Sequence, residues 1–192
     1  MSRRALTTGQ KLALGVGVAG LLAFIFRKPL AAGASFVASN VPTALGFRNG
    51  VPTPITLKSI GNGQFLEVSY ADAFLAMVKA AAADGVTLIA NSGFRSMEKQ
   101  TELYASYLVN FAAWQAGTLK IKPASVAKPG FSRHQRGEAV DVHIPPAGTA
   151  ADDPRRVASK EYQWLKANAH RFRFYSDFAK HRETWHWSSD GS

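Results

Sequence analysis

The chain of 192 residues contains no cysteine. That excludes a disulfide scaffold, Cys-ligated zinc fingers, iron–sulfur clusters and thiol nucleophiles. It does not fix the compartment. An HExxH motif is missing too, which excludes the helix of a zincin peptidase. No acidic residue precedes Glu67. Charged residues make up 19% and hydrophobic residues 46%, enough apolar material for a core and too much for broad disorder. No internal repeat is visible. The length suits one domain, or a small domain with an appendage.

The net charge of +10 is unevenly placed: residues 1–28 carry +5, 29–119 carry zero and 120–192 carry +5. A basic surface suits any polyanion, whether nucleic acid, anionic lipid or a carboxylate-rich cell wall. No nucleic-acid-binding motif accompanies the charge, so no nucleic-acid partner is expected.

Residues 12–26 form an uninterrupted run of fifteen apolar or Gly residues between Lys11 and Arg27-Lys28-Pro29. The run is shorter than the roughly 20 residues of a comfortable spanning helix. It also fits the hydrophobic region of a signal peptide, with Ala32-Gly33-Ala34 as an A-x-A cleavage site. Arg27 and Lys28 lie between run and site, which favours an uncleaved anchor; a cleaved signal and a buried helix are the alternatives. Gly15-x-Gly17-x-x-Gly20 matches the dinucleotide-binding pattern, but it lies inside the apolar run with no strand before it. Small residues in a membrane helix account for it better. The expected organisation is an anchor or signal over 1–28, a Pro- and Gly-rich linker over 29–60 that leads into a first short strand near Ile55–Leu57, and a folded domain over 61–192.

Within that domain, Ser69 and Asp72 suggest a helix start, and Phe74, Met77, Val78 and Ala81 form a stripe at helical spacing. Asp84-Gly85 ends it. A strand is expected over 86–90. Ser96 caps a second helix with Tyr104, Tyr107, Leu108, Phe111 and Trp114 along one face, ending at Gly117. Residues 139–143 read as a strand, 159–170 as a third helix, and 172–175 and 184–187 as closing strands. This order predicts an α+β fold with a small antiparallel sheet and flanking helices, plus the N-terminal apolar helix.

Five histidines are present, and two keep unusual company. His134 stands in a turn before Gly137, and Asp141 follows on the expected strand. His186 lies between Trp185 and Trp187, with Glu183 three positions earlier. Two imidazoles and a carboxylate from separate elements suit a catalytic zinc, which takes nitrogen and oxygen ligands and leaves one position to water. A carboxylate that does not bind the metal can then move the water's proton. Asp141 and His143 lie two apart, so on a strand both face one side, and His143 competes as ligand or orients the site. His170 and His181 read as ordinary polar residues.

Ser132-x-His134-x-x-Gly137-x-Ala139-x-Asp141 followed by Glu183-x-x-His186-Trp187 resembles the VanY-type D-alanyl-D-alanine carboxypeptidases, zinc peptidases of the superfamily that includes the hedgehog-like domain. Ser92-Gly93-Phe94-Arg95-Ser96, Gln100 and Leu103-Tyr104 agree as well, and the resemblance covers roughly 62–190. It implies a hedgehog/D-Ala-D-Ala-peptidase-like domain, zinc held by His134, Asp141 and His186, and Glu183 as catalytic base. It also implies that Arg95 faces the substrate, pairing with a terminal carboxylate or polarising the scissile carbonyl. Ser132 and Gln100 are further candidates for substrate contacts. Phe94 replaces the family's tyrosine and removes a hydroxyl near Arg95.

The expected substrate is a peptidoglycan stem peptide, cut by a D,D-carboxypeptidase or by an endopeptidase with the same zinc site. The expected place is the cell envelope, with the membrane as a further partner through the N-terminal segment; a phage virion or lysis protein is the alternative. A non-catalytic binding module is the rival from another class, and the intact set of His134, Asp141, Glu183 and His186 argues against it.

Overall fold

A computed structural model of the chain describes residues 42–149, 153–177 and 182–192. The apolar run over 12–26, the anchor or signal expected over 1–28, the start of the linker and His181 lie outside the described residues. Among the described residues no helix is long and apolar enough to cross a membrane.

The fold is α+β, with two three-stranded antiparallel sheets. The first holds β1 (Thr43–Arg48), β2 (Val51–Gly61) and β3 (Gln64–Glu67) in that order. The linker expected over 29–60 is therefore corrected from Thr43 onward. Two Asn-Gly pairs explain the strands. Asn49 and Gly50 have φ of 51° and 82°, and Asn62 and Gly63 have φ of 52° and 68°. Paired positive φ values in a two-residue loop give the twist that antiparallel strands need. Pro52 and Pro54 fall within the expected Pro-rich linker. They lie two apart in the part of β2 that pairs only with β1, so both ring nitrogens face the unpaired edge. Ile55 and Leu57 point inward by strict alternation. The irregularity between Ser59 and Gly61 then turns Ile60 inward.

The second sheet holds β4 (Ala90–Ser92), β5 (Ala139–Val142) and β6 (His186–Ser188) in that order. The strand expected over 86–90 is shorter and later, because Val86 and Leu88 are buried in the core without a paired neighbour. Residues 172–175 do not form a strand; Tyr175 makes a single bridge to Ser188. Helix α1 (Val68–Ala83) starts at a Glu67 cap and buries Ala71, Phe74, Met77 and Ala81. Trp164 and Leu165 of α4 (Lys160–Asn168) close the same core against Val140, Val142 and Trp187. The short α3 (Pro154–Val157) precedes α4.

Helix α2 (Met97–Gln115) differs from the others. Ser96 caps it as expected, yet Gln100 is its one buried residue. Its aromatic rings contact one another at tilted angles along the helix, with ring centroids 6.2 Å apart for Tyr104 and Tyr107, 5.6 Å for Tyr107 and Phe111, and 5.5 Å for Phe111 and Trp114.

Two glycines join the sheets. A Cβ on Gly93 would lie 2.3 Å from the Phe65 carbonyl oxygen, and one on Gly137 would lie 2.6 Å from the Glu67 nitrogen. Both approaches carry hydrogen bonds, Phe94 N–H to Phe65 O at 2.7 Å and Glu67 N–H to Gly137 O at 3.0 Å. Gly93→Ala should therefore destabilise the fold by about 1–3 kcal/mol, the usual cost of forcing atoms into packed backbone. Chemical denaturation checks this; an unchanged midpoint would show that β3 does not press on Gly93.

Candidate metal centre

The candidate ligands arrive on two kinds of support, a turn for His134 and paired strands for Asp141 and His186. His134 sits in a 3₁₀ turn over Arg133–Arg136, whose first backbone donors need a partner. The Ser132 hydroxyl accepts from the His134 N–H at 3.3 Å, and Gly137 ends the turn at φ 69°. Asp141 and His186 are direct partners in the β5–β6 register. Opposed residues on antiparallel strands share a face with Cβ atoms about 5 Å apart. Ser92 is the opposite neighbour of Asp141 on β4. The sheet thus lines up Ser92, Asp141 and His186, and the turn lowers His134 onto the row.

The donor atoms converge. His186 Nδ1 lies 3.0 Å from Asp141 Oδ1, His134 Nε2 lies 3.2 Å from the same oxygen, and the two ring nitrogens are 3.3 Å apart. Ligands at ~2.0–2.1 Å around a tetrahedral ion stand about 3.3 Å from one another, so the spacing fits zinc. The outer ring atoms are fixed as well. His134 Nδ1–H donates to the Gly93 carbonyl at 2.7 Å, and His186 Nε2–H donates to the Ser192 carbonyl at 3.0 Å. Those bonds select the tautomers that leave Nε2 of His134 and Nδ1 of His186 to face a metal. Asp141 Oδ2 takes an ion pair from Arg95, whose Nε–H also donates to Ser92 Oγ at 3.0 Å.

The electrostatics separate these groups. Burial lowers the His134 pKa more than Asp141 raises it, so the ring is neutral and able to bind metal. Burial works against the Asp141 charge, yet His134, His186 and Arg95 together hold its carboxyl far below the usual range. For His186 burial is outweighed by the hydrogen bond and charge of Asp141, and the pKa rises. Glu183 behaves differently. Burial pushes it up to about 7, with Asp141 adding to the rise and His186 and Arg95 opposing it. No hydrogen bond is recorded for its carboxylate among the described residues.

All these groups line one cleft of about 510 Å3, with Gln100, Ser132 and Arg95 in its wall. Gln100 is buried and its Nε2–H donates to Ala127 O at 2.8 Å, which leaves Oε1 unpartnered. The Ser132 hydroxyl already serves the His134 turn, so holding that turn is its visible role. The Nε–Nη2 edge of Arg95 is engaged by Ser92 and Asp141 while the residue lines the cleft. His143 is not part of the ligand cluster, which comprises His134, Asp141 and His186. His170 is exposed on a 3₁₀ turn. Sequence reasoning missed Gln135, whose buried Oε1 accepts from Gly130 N–H at 2.6 Å and anchors the loop before the His134 turn. No motif singles it out.

Residues 63–191 match the family model described as VanY: D-alanyl-D-alanine carboxypeptidase. A curated D-alanyl-D-alanine carboxypeptidase of Enterococcus faecalis is 31% identical over 132 residues, covering 66% of this chain and 47% of that protein. The chain spans less than half the length of the curated relatives it matches. A zinc-bound mutant of the vancomycin-resistance D,D-pentapeptidase VanY superposes with a TM-score of 0.54 at 28% identity, over 70% of this chain and 78% of that one. VanYB in complex with D-alanine-D-alanine gives a TM-score of 0.53 at 28% identity, over 70% and 76%. The hedgehog/D-Ala-D-Ala-peptidase-like architecture expected from the sequence is thereby met for the described domain.

The geometry predicts about one zinc per chain, measurable by elemental analysis after dialysis. His186→Ala should lose it, since two remaining ligands leave the coordination shell half built. Wild-type zinc affinity in His186→Ala would break the assignment.

Proposed function

Since the chain belongs to the VanY family of D-alanyl-D-alanine carboxypeptidases, we propose that it is a zinc-dependent peptidase that removes a C-terminal D-alanine from peptidoglycan stem peptides. The observation that carries this reading is one cleft holding three converging ligands and, beside them, a half-buried carboxylate with no hydrogen-bond partner among the described residues. A ligand set alone suits storage or structure. A ligand set with a waiting base suits hydrolysis.

His134, Asp141 and His186 hold the metal. A bound zinc supplies Lewis acidity, which lowers the pKa of water and polarises a carbonyl. Glu183 accepts the proton of the attacking water at its carboxylate and returns it to the leaving amine. A carboxyl near pH 7 suits both directions of transfer, because neither proton state is strongly favoured. Arg95 keeps Asp141 charged and correctly turned through Oδ2. Its Nη1 corner remains to meet a terminal carboxylate or a developing oxyanion. Gln100 lines the cleft wall and is the candidate for a polar contact to the substrate.

A second reading, endopeptidase cleavage at the same zinc site, draws on a specific observation. The Nε–Nη2 edge of Arg95 is taken up by Ser92 and Asp141, so selection for a free carboxylate rests on fewer donors than a fork would offer. The basic segment over 120–192 favours contact with an anionic wall, and the flanked apolar run over 12–26 supports a membrane anchor. The proposed outer-face location follows from the substrate, because wall peptides lie outside the inner membrane.

Zinc-loaded protein incubated with a defined pentapeptide should release its terminal D-alanine, read by mass spectrometry. Amidation of the C-terminus should slow cleavage by one to two decades, the scale of a charge-assisted contact. Equal cleavage of acid and amide would replace the carboxypeptidase reading with the endopeptidase one. Glu183→Gln should keep its zinc and lose at least ~10²-fold in turnover. Full activity would remove Glu183 from the mechanism, and loss of zinc would make it a ligand. Protease added to intact spheroplasts should digest the catalytic domain; protection until lysis would point to a domain released from inside, as in a phage-type lytic enzyme.

A further inference from the structure

Asp141 borders a second concavity. A cleft of about 300 Å3 is lined by Asn91, Ser92, His143, Gly148, Arg156 and Trp185 together with Asp141. Asp141 and Trp185 line both clefts, so the two meet beside the metal ligands. His143, two positions beyond Asp141, sits about 7 Å along the strand direction. Two residues of an extended peptide cover the same length.

Arg156 is the unusual member. It is only 7% exposed. Its Nε–H donates to Thr149 Oγ1 at 2.9 Å, its Nη1–H to the Ile144 carbonyl at 2.7 Å, and its guanidinium carbon lies 5.3 Å from the Trp185 ring centre. Each of these partners is neutral. Among the described residues no carboxylate lies within ion-pair distance of it, and the neighbouring Asp153 is paired with Arg155 at 2.8 Å. A buried cation with no counter-ion among the described residues is unusual, because proteins normally pair one. Two neutral hydrogen bonds and a ring face hold the guanidinium in place, and Nη2 is left with no recorded partner. A fixed guanidinium at a cleft wall is suited to a planar carboxylate.

We propose that this second cleft is a subsite for the acyl side of the substrate peptide, where Arg156 binds a free carboxylate one or two residues before the scissile bond. The inference rests on the peptidase reading above and narrows its substrate class. Peptides with an ionised carboxyl at that place are favoured over those in which it is amidated. Trp185 forms the wall between the two clefts, and Asn91 and His143 offer neutral polar contacts to the peptide backbone.

The test uses the full chain carrying Glu183→Gln and loaded with zinc, so that peptides bind without turnover. Two peptides share a free C-terminus and differ in one group, a carboxyl or its amide, on the acyl side. Titration calorimetry should show about ten- to hundred-fold tighter binding of the carboxylate peptide. Arg156→Gln in that background should bring the ratio close to one. Should Arg156→Gln unfold, Asn91→Asp serves instead, because Asn91 is exposed on the cleft wall. Its charge should weaken the carboxylate peptide several-fold more than the amide. Equal affinity for the two peptides, failure to bind either, or a ratio that the folded variants leave unchanged overturns the proposal. Turnover by wild type reads the parent hypothesis separately. Discrimination in binding without any cleavage keeps the subsite and rejects the peptidase reading, whereas cleavage with no discrimination does the reverse.

Discussion

One buried carboxylate organises the centre. Asp141 offers Oδ1 to His134 and His186 and Oδ2 to Arg95. Burial alone would drive such a group to its neutral form. The two rings and the guanidinium reverse that, and they stand where they do because their elements meet at this strand. β6 brings His186 opposite Asp141, β4 brings Ser92, and Ser92 in turn fixes Arg95. A change in the β5 register by one residue would turn Asp141 to the other face and scatter all four groups.

The contrast with Glu183 shows what environment does to one functional group. Asp141 and Glu183 line the same cleft, yet one carboxyl is held strongly acidic and the other is raised to about 7. The difference lies in the neighbours: His134, His186 and Arg95 outweigh burial at Asp141, whereas burial dominates at Glu183. Two carboxylates with pKa values pushed apart divide the work of ligand and base.

The first sheet has a supporting role in this arrangement. β3 presses its backbone against Gly93 and Gly137, the residues that respectively accept the His134 ring N–H and end the His134 turn. Position of the metal ligand thus depends on a hairpin that contributes no chemistry. Helix α2 is the converse case. It places Gln100 in the cleft from its first turns, and beyond that its aromatic rings contact one another at tilted angles, with Lys122 5.4 Å over Trp114.

Much of the site was legible because its residues are close in sequence. Ser132 to Asp141 spans one turn and one strand, and Glu183 to His186 one loop end, so local spacing constrains both motifs. The fold was legible where periodicity was strong, as in α1 and α4. The first sheet was legible only as a short strand near Ile55–Leu57, because the prolines of the expected linker outweighed two Asn-Gly pairs that in fact mark its hairpins. The sequence by itself determined which imidazoles and carboxylates stand in short motifs as candidates, since that is a matter of residue chemistry and spacing, and the choice of Asp141 over His143 rested on the family resemblance. Only the tertiary structure decided that Arg95 turns its Nε–Nη2 edge to Ser92 and Asp141, that Gln100 keeps an unpartnered oxygen, and that Arg156 lies buried beside Trp185. Those facts depend on strand register and on segments tens of residues apart meeting in space, and no local pattern encodes either.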